Sequence, residues 1–410
     1  MNYFIFEDNQ WKNFLPFTYT RFTGDMRVGI LKLRQRIGLY FGFEPENIII
    51  REDLQDLYTQ RHPDWAINKL SAGEYTFINS RVRINNELKE KIITLNLGEK
   101  LVLEDTVLAF KVKIEMDGIF TAETLPELYK ALQTVVYQGF SDIWNHTWDF
   151  IVENGNVIKE DFKLVFSDED NLTEIDPGVT AINPYDIWIG ENAVLNHGVI
   201  LDATNGPIVI DENATVMHNT VILGPAYIGK NSVVRIGTKV YQNTTIGPFS
   251  KVGGELHDTI IQAYSNKQHD GFLGNCYVGE WVNIGADTNN SDLKNTYKPV
   301  KVWFYPDKAK KSTENLFIGS FIGDHTNIGI NCSLNTGVVL GFGVNIYGSD
   351  LISDFIPSFM WGEAKNMVEY KPEKFLETAK CVKSRRKEEL SDKETELIKK
   401  IKEISMNLER

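Results

Sequence analysis

Apolar residues return at every sixth position through the middle of the chain. The first run contains Ile210, Val216, Ile222, Ile228, Val234, Val240, Ile246 and Val252. The pattern resumes with Phe272, Val278 and Ile284, and again with Leu316, Ile322, Ile328, Leu334, Leu340 and Ile346. A period of six fits neither an α-helix, whose period is about 3.6, nor the alternation of an ordinary strand. It is typical of a hexapeptide β-helix, in which one side chain per face points into a narrow core.

Two polar segments interrupt this repeat. Residues 253–271, GGELHDTIIQAYSNKQHDG, separate Val252 from Phe272, and residues 286–315 separate Ile284 from Leu316. A solenoid tolerates insertions as loops that leave one corner, often on the binding face. The pattern therefore predicts two loops outside the coil core, with His269 in the first of them. A β-sandwich with regular turns is the alternative to the β-helix.

The regions on either side of the repeat have different patterns. Before residue 165, β-rich runs such as FIF, NIII and VLAFKVKI alternate with helix-like stretches, which predicts an open α/β sheet. SDEDNLTEIDPG places the domain boundary near residues 165–185. After Ile346, two prolines indicate a linker, and residues 373–410 have helical spacing and alternating charges. We therefore expect an α/β domain at 1–170, a β-helix at 175–350 and a C-terminal helical segment at 371–410.

Composition and charge exclude several classes of function. The net charge of −13 argues against binding along a nucleic-acid backbone, but it allows a small anion to be held by a few local cations. An uninterrupted run of about 18 apolar residues is absent, and the N-terminus lacks a basic leader, so neither a membrane span nor a signal peptide is predicted. The three cysteines form no CxxC pair, which indicates neither zinc nor a disulfide framework. A reducing cytoplasm fits these features best.

The most specific motif lies in the interrupted region. Residues 269–288, HDGFLGNCYVGEWVNIGADT, resemble the acetyltransferase-site pattern of the bifunctional sugar-1-phosphate nucleotidylyltransferase/acetyltransferases, of the N-acetylglucosamine-1-phosphate uridylyltransferase type. The resemblance implies a Rossmann-like nucleotidyltransferase domain followed by a left-handed parallel β-helix of hexapeptide repeats. It also implies assembly as a homotrimer.

The resemblance assigns roles to four residues of the β-helix. It places the general base at His269, the acceptor-binding asparagine at Asn283, the phosphate-binding arginine at Arg235 and a loop lysine at Lys298. A histidine suits proton transfer near neutral pH during acyl transfer from acetyl-CoA, and an arginine fork suits a sugar phosphate. An exposed loop histidine without a catalytic role is the alternative for His269.

This chain departs from the family pattern at two positions of the β-helix. The tyrosine that follows the histidine is Phe272 here, and a second acceptor lysine aligns near Gly253. Phenylalanine cannot donate a hydrogen bond, and glycine carries no side chain. The sequence therefore predicts an acceptor pocket that differs from that of the family.

The N-terminal domain carries a second resemblance. Residues 14–31, FLPFTYTRFTGDMRVGIL, resemble the LPLTxTRPKPLxPV signature of sugar-phosphate nucleotidyltransferases. The glycine-rich phosphate loop of that family is replaced by FEDNQWKN, and its metal-binding aspartate is replaced by the run from Asn79 to Arg81. Arg21 and Arg27 remain as candidates for phosphate contact, and Asp25 as a candidate ligand for Mg²⁺.

Two hypotheses for function follow from these motifs. The first is a cytoplasmic transferase of nucleotide-sugar metabolism, with a nucleotidyltransferase-like domain, an acetyl-CoA-dependent β-helix and a sugar phosphate or nucleotide sugar as ligand. The second is a non-catalytic regulatory or scaffolding paralogue that binds the same ligand. SRRK, residues 384–387, is either a phosphate- or CoA-binding segment or the solvated face of a packing helix, and its setting favours the solvated face.

Overall fold

A computed structural model gives the structure of the protein and describes residues 2–139, 143–166 and 175–409. An N-terminal α/β domain leads into a parallel β-helix, and two helices follow at the C-terminus. The fold class predicted from the repeat and from the alternating N-terminal pattern is therefore confirmed. Part of the predicted domain boundary, residues 167–174, lies outside the described residues.

The described part of the N-terminal domain has nine strands, and seven of them form one mixed sheet. Its strands are β1 Asn2–Phe6, β2 Asn47–Ile49, β3 Ala66–Ile67, β4 Lys69–Leu70, β5 Gly73–Asn79, β6 Glu99–Leu103, β7 Thr106–Ile114, β8 Gly118–Ile119 and β9 Gln133–Val136. Its helices are α1 Leu33–Phe41, α2 Glu52–Arg61, α3 Asn86–Ile93, α4 Pro126–Tyr129 and α5 Thr147–Val165. The large sheet has the order β3-β2-β1-β5-β7-β6-β9, and β4 pairs with β8 separately.

Thirty short strands form the β-helix and its final hairpin. The first half contains β10 Thr180–Ile182, β11 Ile187–Ile189, β12 Val194–Leu195, β13 Ile200–Asp202, β14 Ile208–Ile210, β15 Thr215–Val216, β16 Val221–Leu223, β17 Ala226–Ile228, β18 Val233–Val234, β19 Lys239–Val240, β20 Thr244–Ile246, β21 Lys251–Val252, β22 Glu255–His257, β23 Ile260–Ala263 and β24 Asn266–Lys267. The second half contains β25 Phe272–Gly274, β26 Tyr277–Glu280, β27 Asn283–Ile284, β28 Asn289–Asn290, β29 Lys301–Phe304, β30 Ala309–Ser312, β31 Phe321–Ile322, β32 Asn327–Ile328, β33 Ser333–Leu334, β34 Val339–Leu340, β35 Asn345–Tyr347, β36 Leu351–Ile352, β37 Phe355–Ile356, β38 Met360–Glu363 and β39 Asn366–Glu369.

The coils stack these strands into three long faces. Sheet 1 has the order β10-β13-β16-β19-β22-β25, sheet 2 runs from β11 through β14, β17, β20, β23, β26, β31 and β34 to β37, and sheet 3 runs from β12 through β15, β18, β21, β24, β27, β32 and β35 to β38 and β39. The inward residues of the first apolar run are at most 1% exposed, from Ile210 to Val252. Each coil therefore buries one aliphatic side chain per face, as the six-residue period predicts.

The first predicted loop is not a loop. Residues 253–271 continue the coil as β22, β23 and β24, which pair in parallel with β19, β20 and β21. The spacing between inward residues shortens here, since Leu256 follows Val252 by four positions and Ile261 follows Leu256 by five. The sequence prediction was wrong because a coil with a shortened turn keeps its strand pairing while its six-residue phase is lost.

The second predicted loop is only partly a loop. β28 stays in the coil and pairs with β33, whereas β29 and β30 form an antiparallel hairpin outside it. The hairpin buries Val302 and Phe304 against the N-terminal domain, where Phe304 packs edge-on to Trp148. Two residues of the predicted core series are also placed differently. Leu273 points inward in place of Phe272, and Leu316 is 42% exposed.

The predicted linker after Ile346 belongs to the β-helix. β37 extends sheet 2, and β38 and β39 close sheet 3 with a hairpin, so the coil reaches beyond residue 350. The C-terminal segment then folds as two helices, α6 Pro372–Ser384 and α7 Asp392–Leu408. The Ser391 side chain caps α7 by accepting from the Glu394 N–H at 3.2 Å, and Leu397, Ile398 and Ile401 are buried on one face of α7.

The three parts of the chain pack together through buried polar contacts. Thr245 Oγ1 donates to Gly29 O at 2.9 Å, and Gln262 Nε2 donates to Asp25 O at 2.7 Å. Glu409, near the C-terminus, accepts hydrogen bonds from Tyr19 Oη at 2.9 Å and from Ser358 N at 2.7 Å. The helix pair therefore fastens the end of the β-helix to the N-terminal domain.

Candidate functional site

The position of the family's phosphate loop is occupied by internal ion pairs. Residues Asn9–Phe14 after β1 form a short 3₁₀ helix, where the family has a glycine-rich loop. Glu7 is fully buried, accepts from Arg51 Nη1 at 2.9 Å and from Thr23 N at 2.8 Å, and thereby joins two elements of the domain. Asp8 pairs with Arg81 at 2.6 Å. A triphosphate placed here would meet two carboxylates, whereas the family pattern offers backbone N–H groups.

The metal position of the family is changed in the same way. Asn79, at the end of β5, donates from Nδ2 to Asp8 Oδ2 at 2.8 Å, and Arg81 points its guanidinium at the same carboxylate. The Arg81 side chain is about 1% exposed. A buried cation therefore already occupies this carboxylate, and a divalent metal would have to displace Arg81 to bind it.

Asp25 does not fit a Mg²⁺ ligand in this structure. Its Oδ1 lies 3.0 Å from Lys32 Nζ and 2.8 Å from Arg34 Nε, and its Oδ2 accepts from Tyr58 Oη at 2.6 Å. Although burial acts to raise the pKa of Asp25, Lys32 and Arg34 lower it overall. Across the described residues, no three His, Cys, Asp or Glu side chains cluster as a metal site. The negative charge of Asp25 is therefore neutralised by Lys32 and Arg34 inside the domain.

Arg21 and Arg27 are likewise placed away from a phosphate pocket. Arg21 makes a two-pronged contact with Asp324 of the β-helix, at 2.7 Å and 3.2 Å, and lies 3.3 Å from Glu280. Arg27 donates to Ile30 O, and its guanidinium lies 5.7 Å from the centroid of the Tyr227 ring. Both arginines connect the N-terminal domain to the β-helix. The phosphate role predicted for them stays a prediction, and a bound phosphate would compete with these contacts.

The pairs of Arg21 and Asp25 line a cleft between the three parts of the chain. The cleft has a volume of about 330 Å³. Its walls come from the N-terminal signature, from the coil turns that hold Glu280 and Asp324, and from the C-terminal helices. Burial lowers the pKa of both His62 and His325, which also line it, to about 4, so both imidazoles are neutral at pH 7. Charges of both signs line this cleft, which makes it a junction of ion pairs.

A stack of aromatic rings forms one edge of the cleft. Phe249, Tyr264 and Trp281 occupy successive turns between sheets 2 and 3, and their ring centroids are 4.8 Å and 4.4 Å apart. All three have φ between 55° and 61°, a conformation that earlier coils fill with asparagines such as Asn213 and Asn231. Aromatic residues adopt left-handed backbone at a cost of about 1–2 kcal/mol, which the stacking offsets here.

The predicted base and the predicted phosphate arginine share one groove. His269 and Arg235 are exposed on the corner that follows sheet 3, and they line a groove of about 330 Å³. The remaining walls come from Gly253, Gly254 and the turn at Ala286 and Asp287. Residues 34 positions apart in the chain meet here because each coil returns the chain to the same corner.

A buried lysine lies directly under this groove. Lys267 takes an inward position where other coils carry an aliphatic residue, and it is 2% exposed. Its Nζ donates to His269 O at 2.7 Å, to Gly253 O at 3.2 Å and to Asp270 O at 3.3 Å. Burial lowers the pKa of Lys267 to about 8, although Asp270 and Asp287 oppose the shift. The ammonium ties two successive turns together at the place where His269 is presented.

The lowered pKa of Lys267 predicts a pH-dependent contribution to stability. Between pH 8 and pH 10.5 the unfolded lysine binds more protons than the folded one, so the free energy of unfolding rises with pH. Between pH 8 and pH 10.5 we expect the free energy of unfolding of the wild type to rise by about 3 kcal/mol relative to that of Lys267→Met. Urea unfolding of both proteins at several pH values measures the difference, in which other titrating groups cancel. Parallel pH profiles for the two proteins would contradict the prediction.

Asn283 and Lys298 lie outside the groove. Asn283 is exposed on β27, pairs across the sheet with Asn266 of β24, and lines a neighbouring cavity of about 160 Å³ under the C-terminal helices. Lys298 is exposed in the segment before the β29–β30 hairpin and lines neither cavity. The structure thus brings His269 and Arg235 together, places Asn283 on the adjoining face and leaves Lys298 apart.

Sequence reasoning missed Lys267, and it named the arginines that face Asn283 only within SRRK, with the solvated helix face as the favoured interpretation. The cavity beside Asn283 is also lined by Arg385 and Arg386, which belong to SRRK. The charge pattern of SRRK favours a solvated helix face, and only the fold shows that this segment lies across sheet 3. A sequence signal for Lys267 exists. If the coil is allowed to shorten its turns after Val252, the inward position of the next sheet 3 strand falls on a lysine.

Comparison with known proteins covers both halves of the chain. Residues 3–170 match the family model described as sugar nucleotidyl transferase. A bifunctional sugar-1-phosphate nucleotidylyltransferase/acetyltransferase of Sulfurisphaera tokodaii is 29% identical over 177 residues, which are 40% of this chain and 42% of that protein. The predicted family resemblance is confirmed. The bifunctional protein GlmU of Heliobacterium modesticaldum is 26% identical over 305 residues, which are 68% of this chain and 57% of that protein.

The chain spans about half the length of these curated relatives. The Sulfurisphaera tokodaii relative is a transferase by name, in agreement with the leading hypothesis. Among solved structures, a UDP-N-acetylglucosamine acyltransferase from Campylobacter jejuni matches 57% of this chain and 82% of its own, at 15% identity and a TM-score of 0.30. No helix within the described parts of the chain has the length and apolar character needed to cross a membrane.

Proposed function

We propose that the protein is an acyltransferase of nucleotide-sugar metabolism whose reaction takes place in the groove between Arg235 and His269. The observation that carries this proposal is the meeting of these two exposed side chains in one groove, over a buried lysine that fixes the turn. The acyl donor is acetyl-CoA, and the acceptor is an amino or hydroxyl group of a sugar phosphate or nucleotide sugar. The name of the Sulfurisphaera tokodaii relative, which includes both a sugar 1-phosphate and acetyl transfer, supports both classes of substrate.

The chemistry assigned to His269 is general base catalysis. Its imidazole takes a proton from the acceptor group while that group attacks the thioester carbonyl, so a new C–N or C–O bond forms. The C–S bond then breaks, and the thiolate of CoA leaves and takes up the proton. Arg235 holds the phosphate of the acceptor by a charge-assisted contact and does not take part in the proton transfer.

A thiol-release assay tests this function. The full chain is incubated with acetyl-CoA and a panel of amino-sugar phosphates and nucleotide sugars, and free thiol is followed over time. We expect release that depends on one acceptor class and that yields an acetylated product by mass spectrometry. Hydrolysis of acetyl-CoA at the same rate with every acceptor, or no release at all, would favour the alternative of a regulatory or scaffolding paralogue.

For the N-terminal domain we propose ligand binding without nucleotidyl transfer. Glu7 and Asp8 are paired with Arg51 and Arg81 at the position of the phosphate loop. Asp25 is also paired internally, so Mg²⁺ at Asp25 is left out of the proposal.

We therefore predict that the protein releases no pyrophosphate at ordinary enzymatic rates, about 1 s⁻¹ or more, from any single nucleoside triphosphate with Mg²⁺ and a common sugar 1-phosphate. A coupled pyrophosphate assay checks this, with an active sugar nucleotidyltransferase as the control for the assay. Turnover at such a rate would show that the domain has acquired a different phosphate grip.

We further propose that the protein assembles as a homotrimer packed along the β-helix axes. Exposed apolar side chains at the corner, Ile236 at 63% and Ile330 at 65%, support a packed neighbour on this side. Light scattering at micromolar concentration measures the assembly. A monomeric mass under these conditions would overturn the trimer without affecting the assignment of the groove.

A further inference from the structure

The outward face of sheet 3 carries a ladder of asparagines beside the groove. Asn266, Asn283, Asn327 and Asn345 pair across successive coils, so their side chains project from the same face. Lys251 precedes Asn266 in this register, on the coil that leads to Gly253. Carboxamide groups that project together offer several N–H donors to one ligand.

The segment between α6 and α7 crosses this ladder. Arg385 and Arg386 line the small cavity whose other walls include Asn266, Asn283 and Asn327. Arg386 Nη2 donates to Asn266 Oδ1, which fixes the side chain over the sheet. Its Nε is buried and has no acceptor within hydrogen-bond distance among the described residues. An unsatisfied buried donor on a guanidinium indicates a partner that the polypeptide does not supply.

Four cations lie near one another on this side of the molecule. Arg385 and Arg386 line the cavity, whereas Lys251 is the register partner of Asn266 and Arg235 lines the adjoining groove. Burial lowers the pKa of Lys251, and the charges of Arg386, Arg235 and Arg385 lower it further, so the four groups lie within electrostatic reach of one another. In the described parts of the chain none of the four forms an ion pair with a carboxylate. The nearby Glu388 lines the interdomain cleft and not this cavity. A chain with a net charge of −13 thus keeps four positive charges together without a counterion.

Lys251 supplies a positive charge close to the position of the second lysine of the family pattern. That lysine aligns near Gly253, where a Cβ would lie 2.4 Å from Gln268 O of the next coil. No side chain fits at residue 253 without moving the backbone. Lys251 is two residues earlier on the same coil and keeps a positive charge beside Arg235.

We propose that Lys251, Arg385 and Arg386, together with the Asn266–Asn283 pair, form an anion subsite that binds a phosphate group of one of the two substrates. The subsite is shared between the β-helix and the C-terminal helices, and it adjoins the groove of His269 and Arg235. It rests on the proposed acyltransferase function for the identity of the ligand, but not for the binding of an anion. Phosphate accepts from guanidinium, ammonium and carboxamide donors alike.

Titration calorimetry on the full chain at constant ionic strength tests the subsite. The probes are a sugar 1-phosphate, which represents the acceptor, and adenosine 3′,5′-diphosphate, which carries phosphates of the kind found in CoA. We expect at least one probe to bind the wild type. Each of the variants Lys251→Gln, Arg385→Gln and Arg386→Gln should lower the affinity for that probe by about tenfold, the usual cost of losing one charge-assisted contact. The probe that responds identifies which substrate the subsite serves.

Lys380→Gln is the matched control, since Lys380 is exposed on α6, lines none of the cavities and carries the same charge. Its affinity for the probes should equal that of the wild type. Equal losses in the control and in the subsite variants, or no probe binding to the wild type, would overturn the subsite. Probe binding that depends on Lys251 and Arg385, without any acetyl transfer, would refute the proposed function alone.

Discussion

His269→Ala is expected to lower kcat for acetyl transfer by about 10²–10⁴-fold, the contribution of a positioned general base. The structure gives the side chain no part in the coil core, because it is exposed at a corner and only its backbone carbonyl is held, by Lys267. Removal of the imidazole should therefore leave the melting temperature nearly unchanged. Thiol release and thermal unfolding, measured on the same preparation, separate a catalytic loss from a folding defect.

His218→Ala is the matched control for this substitution. His218 is exposed at the same corner, two residues after its sheet 3 strand, as His269 is. It lies three coils earlier than His269 and does not line the groove. We expect full activity from His218→Ala. If His269→Ala retains acetyl transfer, or if it unfolds the protein, the histidine has no catalytic role and the motif is a relic of an enzymatic ancestor.

Arg21→Met is expected to destabilise the protein by about 3–5 kcal/mol, the cost of leaving a buried carboxylate without its cation. Asp324 is 1% exposed, and its two oxygens accept from Arg21, from Thr20 and from Glu280 N. Without Arg21, the carboxylates of Asp324 and Glu280 face each other in a buried site. Chemical denaturation gives the change in the free energy of unfolding.

An ion pair with an exposed arginine provides the comparison for this effect. Arg61 pairs with Glu394 at 3.4 Å with 38% of its side chain exposed, and the buried Glu394 keeps Lys383 as a second partner at 2.5 Å. Arg61→Met should therefore cost less than about 1 kcal/mol. The double variant Arg21→Met/Asp324→Leu should recover part of the stability lost in Arg21→Met, because it removes a buried charge that lacks a partner. A loss below about 1 kcal/mol for Arg21→Met would show that the three-way junction does not hold the domains together.

Residues of the candidate site differ in how far sequence could place them. His269 and Asn283 were found through a motif of 20 residues, which needs no knowledge of the fold. Arg235 was found in the same way, and its meeting with His269 follows once the coil is known. Lys251 belongs to no motif, Arg385 and Arg386 belong to the SRRK segment whose favoured interpretation was a solvated face, and 134 positions separate Lys251 from Arg385. Only the return of the C-terminal helices across sheet 3 brings these cations together.

The sequence misplaced His269 because a six-residue phase cannot show where a coil shortens its turns. Val252 and Leu256 are four positions apart, yet both point inward. The strand pairing that keeps them in register depends on backbone hydrogen bonds to the preceding coil, such as Gly253 N to Lys267 O at 2.6 Å. Such bonds form between distant residues and leave no periodic signal in the apolar pattern.

The sequence by itself determined the β-helix, the α/β domain before it and the loss of the phosphate loop, because these depend on local spacing and on which residues are present. Burial of one aliphatic residue per face of each coil is written directly into the six-residue repeat. Only the tertiary structure decided which charged side chains are paired with one another and which are left for a ligand. Arg21, Asp25 and Glu7 could each have served a ligand, but each is paired within the fold, because a buried charge must be paired. Arg21 pairs with Asp324 of the β-helix, whereas Asp25 and Glu7 pair inside the N-terminal domain. Lys251, Arg385 and Arg386 form no ion pair with a described carboxylate, because the fold lines their cavity with asparagines and places no Asp or Glu there.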